Sequence, residues 1–166
     1  LSLPTGSSFD IYTFESVFEK FKPSDNGDPK FEAINWIDKI QSGGGTELRG
    51  ALEDVYKSIK ESGKRGVILI LSDGGIANTN DVLKLVKFNK ATSVFTIGIG
   101  ANVSHDLIQG MADMGNGKAE FVNSGTDQIK EKMLAQLKRA QVSLRKESDK
   151  NEIKIDVDGP YKLVPE

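Results

Sequence analysis

A lone carboxylate standing where an apolar run stops is the most chemically suggestive feature of this chain. The stretch Gly66-Val67-Ile68-Leu69-Ile70-Leu71-Ser72-Asp73-Gly74-Gly75 holds five consecutive apolar residues, three of them β-branched, then Ser, Asp and a Gly-Gly breaker. The run is too short for a helix and reads as a strand buried on both faces. Open α/β sheets bind ligands at the carboxyl ends of their strands, so Asp73 falls on the face that carries function. Asp-Gly-Gly is also an ordinary way to leave a strand. Turn and functional carboxylate both fit these residues taken alone.

The other reactive side chains are thinly spread. Thr46 before Glu47-Leu48 reads as a helix cap, and Glu47 as a solvated acid at a helix N-terminus. Asp81 is the nearest candidate for a second carboxylate beside Asp73, as phosphatase-type chemistry would want, but it sits in a helix-cap pattern. His105 is the sole histidine, follows a Ser suited to capping, and reads as a surface residue. There is no Gly-x-Ser-x-Gly and no Walker A motif, and Gly98-x-Gly100 lacks the third glycine of a dinucleotide fingerprint. Asn102-Val103-Ser104 is a glycosylation sequon, meaningful only in a secreted protein. Lys130, Lys132, Lys138 and Arg139 read as a solvated helix face.

Composition narrows the classes. A length of 166 residues suits one domain, and 37% apolar with 28% charged residues is ordinary for a globular protein. A net charge of -2 gives no reason to expect nucleic acid or an acidic membrane as partner. The absence of cysteine excludes disulfides and thiolate metal sites. It fits a reducing compartment, as does the lack of a signal-peptide pattern in Leu1-Ser2-Leu3-Pro4, so an intracellular setting is slightly favoured. No apolar run approaches the roughly 20 residues of a membrane span. Without an initiator Met, the chain is expected to be an internal piece of a longer one.

The elements that must position these groups follow from periodicity. Residues 9–14 and 17–21 read as two strands of a hairpin. Asp28-Pro29 is a good helix start, with Phe31, Ile34, Ile37 and Ile40 as its apolar stripe and Trp36 off it. Ser42-Gly43-Gly44-Gly45 stops that helix and Thr46 opens the next, whose Leu48, Leu52, Val55, Tyr56 and Ile59 recur at helical spacing. After strand 67–71, Thr79-Asn80-Asp81 can cap a helix carrying Val82, Leu83, Leu85 and Val86. Residues 93–100 form the next strand, with glycines suited to close helix packing. Ser104 caps a helix carrying Leu107, Ile108, Met111 and Met114. A strand at 119–122 and a last helix from Thr126 or Asp127 follow. The pattern weakens after 141, and 152–157 alternates as an edge strand. Strands alternating with helices make a doubly wound, mostly parallel α/β sheet.

Taken together, several stretches resemble one family. They are Leu3-Pro4-Thr5-Gly6-Ser7-Ser8-Phe9-Asp10-Ile11, Gly43-Gly44-Gly45-Thr46-Glu47-Leu48, Leu71-Ser72-Asp73-Gly74, Phe95-Thr96-Ile97-Gly98-Ile99-Gly100 and Gly117-Lys118-Ala119-Glu120-Phe121-Val122. The chain resembles a von Willebrand factor type A (VWA) domain over about residues 1–141, in the branch found beside a VIT domain, as in inter-α-trypsin inhibitor heavy chains and vault-type ADP-ribosyltransferases. Residues 142–166 would be a C-terminal extension. The resemblance implies a metal-ion-dependent adhesion site at the carboxyl edge of the sheet. Thr46 matches the family's ligating Thr, and Asp73 its ligating Asp. Mg²⁺ suits such a site, being hard, octahedral and partial to carboxylate and hydroxyl oxygens. Gly44, Gly45, Glu47 and Gly74 would flank it as partner-binding residues.

The chain departs from the family in having no Asp-x-Ser-x-Ser motif. It is expected to lack the family's first strand and helix, and in the implied strand order 3-2-1-4-5-6 that strand lies at the centre. Two unpaired interior edges would be costly, since each buried unmade hydrogen bond costs about 1–3 kcal/mol against a total stability of about 5–15 kcal/mol. The expectation is a non-enzymatic module that binds protein partners through the carboxyl edge. One partner segment would supply the central strand, unless 9–14 pairs directly with 67–71. Mg²⁺ would be held only when that segment brings the missing loop. The alternatives are a purely structural piece of an assembly with a non-functional metal site, and a phospho-acceptor enzyme acting through Asp73.

Overall fold

A computed structural model describes residues 8–40, 47–73, 75–76, 78–123 and 126–148. Gly44, Gly45, Thr46, Gly74 and the expected strand at 152–157 lie outside the described residues. The order of elements is β1 (Tyr12–Phe14), β2 (Phe18–Lys20), α1 (Pro29–Ile37), α2 (Leu48–Ser62), β3 (Val67–Ser72), α3 (Thr79–Phe88), β4 (Ser93–Ile99), α4 (His105–Met114), β5 (Ala119–Val122) and α5 (Thr126–Ser148). This is the alternation expected of an α/β chain. α5 continues past residue 141, where the apolar pattern fades.

The strands form two sheets. β3, β4 and β5 are parallel, with Leu69 opposite Phe95 and Thr96 opposite Ala119. β1 and β2 form a separate antiparallel hairpin, with Tyr12 opposite Lys20 and Phe14 opposite Phe18. The hairpin does not pair with β3, so the direct pairing considered as an alternative is not formed.

Strand alternation assigns the layers. From β3 and β4, Ile68, Ile70 and Val94 join a core with Leu48, Leu52 and Tyr56 of α2, Val82 and Val86 of α3, and Leu107, Ile108 and Met111 of α4. On the same face Thr96 donates its hydroxyl to the Ile108 carbonyl at 2.9 Å. The opposite face belongs to α5. Ser143 meets Ser93 at 3.0 Å, and Phe95 lines a cavity with Val142 and Ser143. Fully buried Gln136 of α5 donates to the carbonyls of Thr96 (3.0 Å) and Lys118 (2.6 Å).

β3 departs from its expected burial. Ile68, Ile70 and Ser72 are buried, whereas Val67, Leu69 and Leu71 are only half-buried. The reason is that α5 lies mainly over β4 and covers the outer side of β3 incompletely. The reading of the α1 stripe is also corrected. Phe31, Ile34, Ile37 and Ile40 are 64, 58, 46 and 42% exposed. α1 docks instead through buried Ala33 and through Trp36, whose ring lies 5.7 Å from that of Phe21.

Helix ends refine the sequence reading. Asp28 caps α1, accepting from Lys30 N–H at 2.9 Å. α2 ends at Gly63 in the left-handed conformation (φ 64°), which glycine adopts without a Cβ penalty. α3 is not capped by Thr79 or Asp81. Its cap position is Asn78, and Thr79 donates its hydroxyl to the Ile76 carbonyl.

Glu120 of β5 is the electrostatic tie between sheet and α5. It accepts from Lys132 and Arg139, each at 2.6 Å. The hydrogen bond from Lys132, assisted by Arg139, holds its carboxyl below the ordinary 4.5 despite partial burial. A carboxyl depressed in the fold stabilises above its unfolded value and loses that contribution as pH falls through the folded value. Glu120→Gln is therefore expected to cost about 1–2 kcal/mol at pH 7, limited by the solvent exposure of both cations. Denaturant titrations should show the gap between wild type and variant closing in acid, below about pH 4.

Candidate functional site at the carboxyl edge of the sheet

β3 ends on buried Ser72, and Asp73 follows as an exposed residue at the carboxyl edge. The chain then turns against the start of α4, where a Cβ on Gly75 would lie 3.8 Å from that of Ser104. Ser104 caps α4 by accepting from Leu107 N–H at 3.4 Å. β4 leaves the sheet through Gly100 (φ 89°), whose N–H is held by the Val122 carbonyl at 2.7 Å.

The N-terminus of α2 reaches the same edge. The Glu47 N–H donates to the carbonyl of Glu15, just past β1, at 2.5 Å. The Glu47 carboxylate is not free in solvent as expected. It is the α2 cap, accepting from Gly50 N–H at 2.9 Å. Asp81 is not a second carboxylate awaiting chemistry either, since it pairs with Arg49 at 3.7 Å and Lys84 at 3.8 Å.

Two further positions emerge at this edge. His105 is exposed but not isolated, because its ring stacks on Phe121 at 4.2 Å and 18°. The glycine alternation in β4 predicts close packing of a helix against the sheet. At Gly98 the close neighbours are instead Phe121 and Val103, with an added Cβ only 2.9 Å from the Phe121 ring. Gly98 was the available signal: a missing side chain in a strand marks where a neighbour fills the space.

Asp73 is thus the predicted ligand that the described structure leaves exposed at the edge, while Glu47 is engaged as a cap. No group of three or more His, Cys, Asp or Glu able to hold a metal is found among the described residues.

A parallel sheet between helix layers, with its loops gathered at the carboxyl edge, defines a doubly wound α/β domain. The chain belongs to the von Willebrand factor type A domain family, whose model matches residues 2–121. It is 34% identical over 144 residues to von Willebrand factor A domain-containing protein 5A of Rattus norvegicus, covering 84% of this chain and 17% of that protein. It is 31% identical over 144 residues to the human 5B1 protein, covering 84% of this chain and 12% of that protein. A von Willebrand factor A domain-containing protein of Dictyostelium discoideum is 34% identical over 145 residues, covering 84% of this chain and 7% of that protein. The chain therefore spans less than a fifth of the length of these relatives. No helix among the described residues is long and apolar enough to cross a membrane.

The roles of these side chains separate by substitution. Glu47→Ala should lower stability by about 0.5–2 kcal/mol through loss of a cap, and Glu47→Gln, which keeps an accepting oxygen, by less. Asp73→Ala should stay within about 0.5 kcal/mol of wild type. Gly98→Ala should cost about 1–3 kcal/mol, because the Phe121 ring must move. Chemical denaturation of the four variants checks all of these values.

Proposed function

We propose that the chain is a non-enzymatic interaction module that engages protein partners through the carboxyl edge of its sheet. The observation that carries this reading is an exposed Asp73 at the end of the apolar strand β3 of a VWA domain. Thr46, Gly44, Gly45 and Gly74 belong to the same proposed surface. Mg²⁺ joins it only when a loop of the Asp-x-Ser-x-Ser type comes from another segment, since one carboxylate and one hydroxyl are a poor site. The partners include a segment that supplies a strand between β1 and β3.

A second reading, a structural subunit piece that binds no metal, is favoured by one observation: Glu47 and Asp81 are both occupied with tasks internal to the fold. The two readings part in a crosslinking experiment within the parent protein. A photoreactive residue at Gly75 is expected to capture protein more strongly in Mg²⁺ than in EDTA, and one at exposed Lys57 on α2 to be insensitive to metal. Capture at Gly75 that is unaffected by EDTA supports the structural reading, and equal capture at both positions removes the edge from consideration.

A further inference from the structure

A cavity of about 450 Å³ opens at the amino edge of the sheet, the end opposite Asp73. It lies between the C-terminal half of α5 and the connection that enters β5. Phe95 and Val142 supply its apolar wall, and Lys138, Arg139 and Ser143 its polar rim. Val142 is 48% exposed, an aliphatic side chain left facing solvent beside a buried aromatic one. Among the described residues no Asp or Glu lines the cavity.

The charge around this opening has one sign. Arg139 is spent on Glu120, but Lys138 and Lys118 are exposed and form no ion pair among the described residues. The connections that enter β3, β4 and β5, at 63–66, 89–92 and 115–118, carry Lys64, Arg65, Lys90 and Lys118 and no acid. The connections that leave the same strands, at 73–78, 100–104 and 123–125, carry Asp73 and no cation. The net charge of -2 therefore hides a polarity, with cations gathered at the amino edge. Over the roughly 8 Å at which charges are felt in physiological salt, that edge attracts acidic groups.

Beyond α5 the sequence carries a stretch of matching chemistry. In Glu152-Ile153-Lys154-Ile155-Asp156-Val157 charged and apolar side chains alternate. Over 149–158, Asp149, Glu152, Asp156 and Asp158 outnumber Lys150 and Lys154. We infer that the amino-edge cavity receives the chain's own residues 152–157, with Ile153 and Ile155 turned toward Phe95 and Val142 and the acids toward the cationic rim. The inference is independent of metal or partner binding at the carboxyl edge.

Reach permits it. Val142 lies six residues before Ser148, about 9 Å back along α5. Four extended residues, 149–152, span at most about 13–14 Å, enough to double back at the helix end and bring Ile153 level with Val142. Side chains on one face of an extended segment recur every ~6.6 Å, close to the ~6 Å from Val142 to Lys138 along the helix. Ile155 then falls one helical turn further in. Other occupants fit less well. A second copy would set one cationic rim against another, and a bilayer calls for a protruding apolar group, whereas this site is a recess.

The chain contains no cysteine, so introduced thiol pairs report proximity without background. Val142→Cys is combined in turn with Ile153→Cys, Lys154→Cys, Ile155→Cys and Asp156→Cys in the full chain, and disulfide formation under mild oxidation is timed by mass spectrometry. A loose tether brings all four positions past Val142, but a seated segment presents only alternate ones. The Ile153 and Ile155 pairs are expected to close at least about tenfold faster than the Lys154 and Asp156 pairs, because a disulfide needs Cβ atoms about 3.5–4.5 Å apart. Lys138→Glu, at an exposed position of α5, is expected to slow the fast pairs several-fold, and Lys138→Glu with Asp156→Lys to restore them. Equal rates at all four positions overturn the inference. Disulfides formed mainly between chains overturn it in favour of a second copy. Slower amide exchange at 67–72 in the full chain than in one ending at Ser148 overturns it by placing the segment on β3. Sedimentation with phosphatidylserine vesicles that Lys138→Glu abolishes overturns it in favour of a bilayer. None of these results bears on the carboxyl edge, which the crosslink at Gly75 decides alone.

Discussion

The structure depends on α2 being shared. Its Leu48, Leu52 and Tyr56 seal the parallel sheet, while Asp54 and Ser58 hold the hairpin by hydrogen bonds. The two contact sets lie on adjoining strips of one helix, about a third of a turn apart. The hydrophobic strip supplies the larger share of the energy, since burial is worth about 1.5–3 kcal/mol per large side chain. The polar strip fixes the hairpin's angle, because hydrogen bonds are directional where apolar contacts are not. Among the described residues no strand-to-strand ladder joins the two sheets, and this helix touches both.

That arrangement explains how much of the molecule was legible in the sequence. The amphipathic period of α2, the apolar run of β3 and the Ser cap of α4 each encode a local preference that the packing agrees with, and all three were readable. The α1 stripe misled because periodicity reports which face is apolar, not whether anything covers it. Ala33 and Trp36 dock the helix, and neither belongs to the strongest repeat. The same reasoning governs β3: five apolar residues announce a strand meant for two covered faces, and the chain covers one well and the other in part.

The candidate site was legible in its position and less so in its chemistry. Asp73 follows from the strand it terminates. From sequence Glu47 reads as a solvated acid, because the residue preceding it fits the cap position, whereas Glu47 itself is the cap of α2. The choice between neighbouring capping residues is decided by backbone angles that composition does not carry. The stacking of His105 on Phe121 joins a helix start to a strand that follows it in the chain. Only the tight spacing around Gly98 hints at it beforehand. Contacts of this kind depend on strand register, and register is a property of the assembled sheet.

The 23-residue α5 adds a geometric effect of its own. Ser143 lies beside Ser93, the first residue of β4, so the helix has by then reached the amino edge of the sheet. It runs on to Ser148, five residues further, a rise of about 7–8 Å. The last turn therefore lies at the amino edge, at the opposite end of the strands from Asp73.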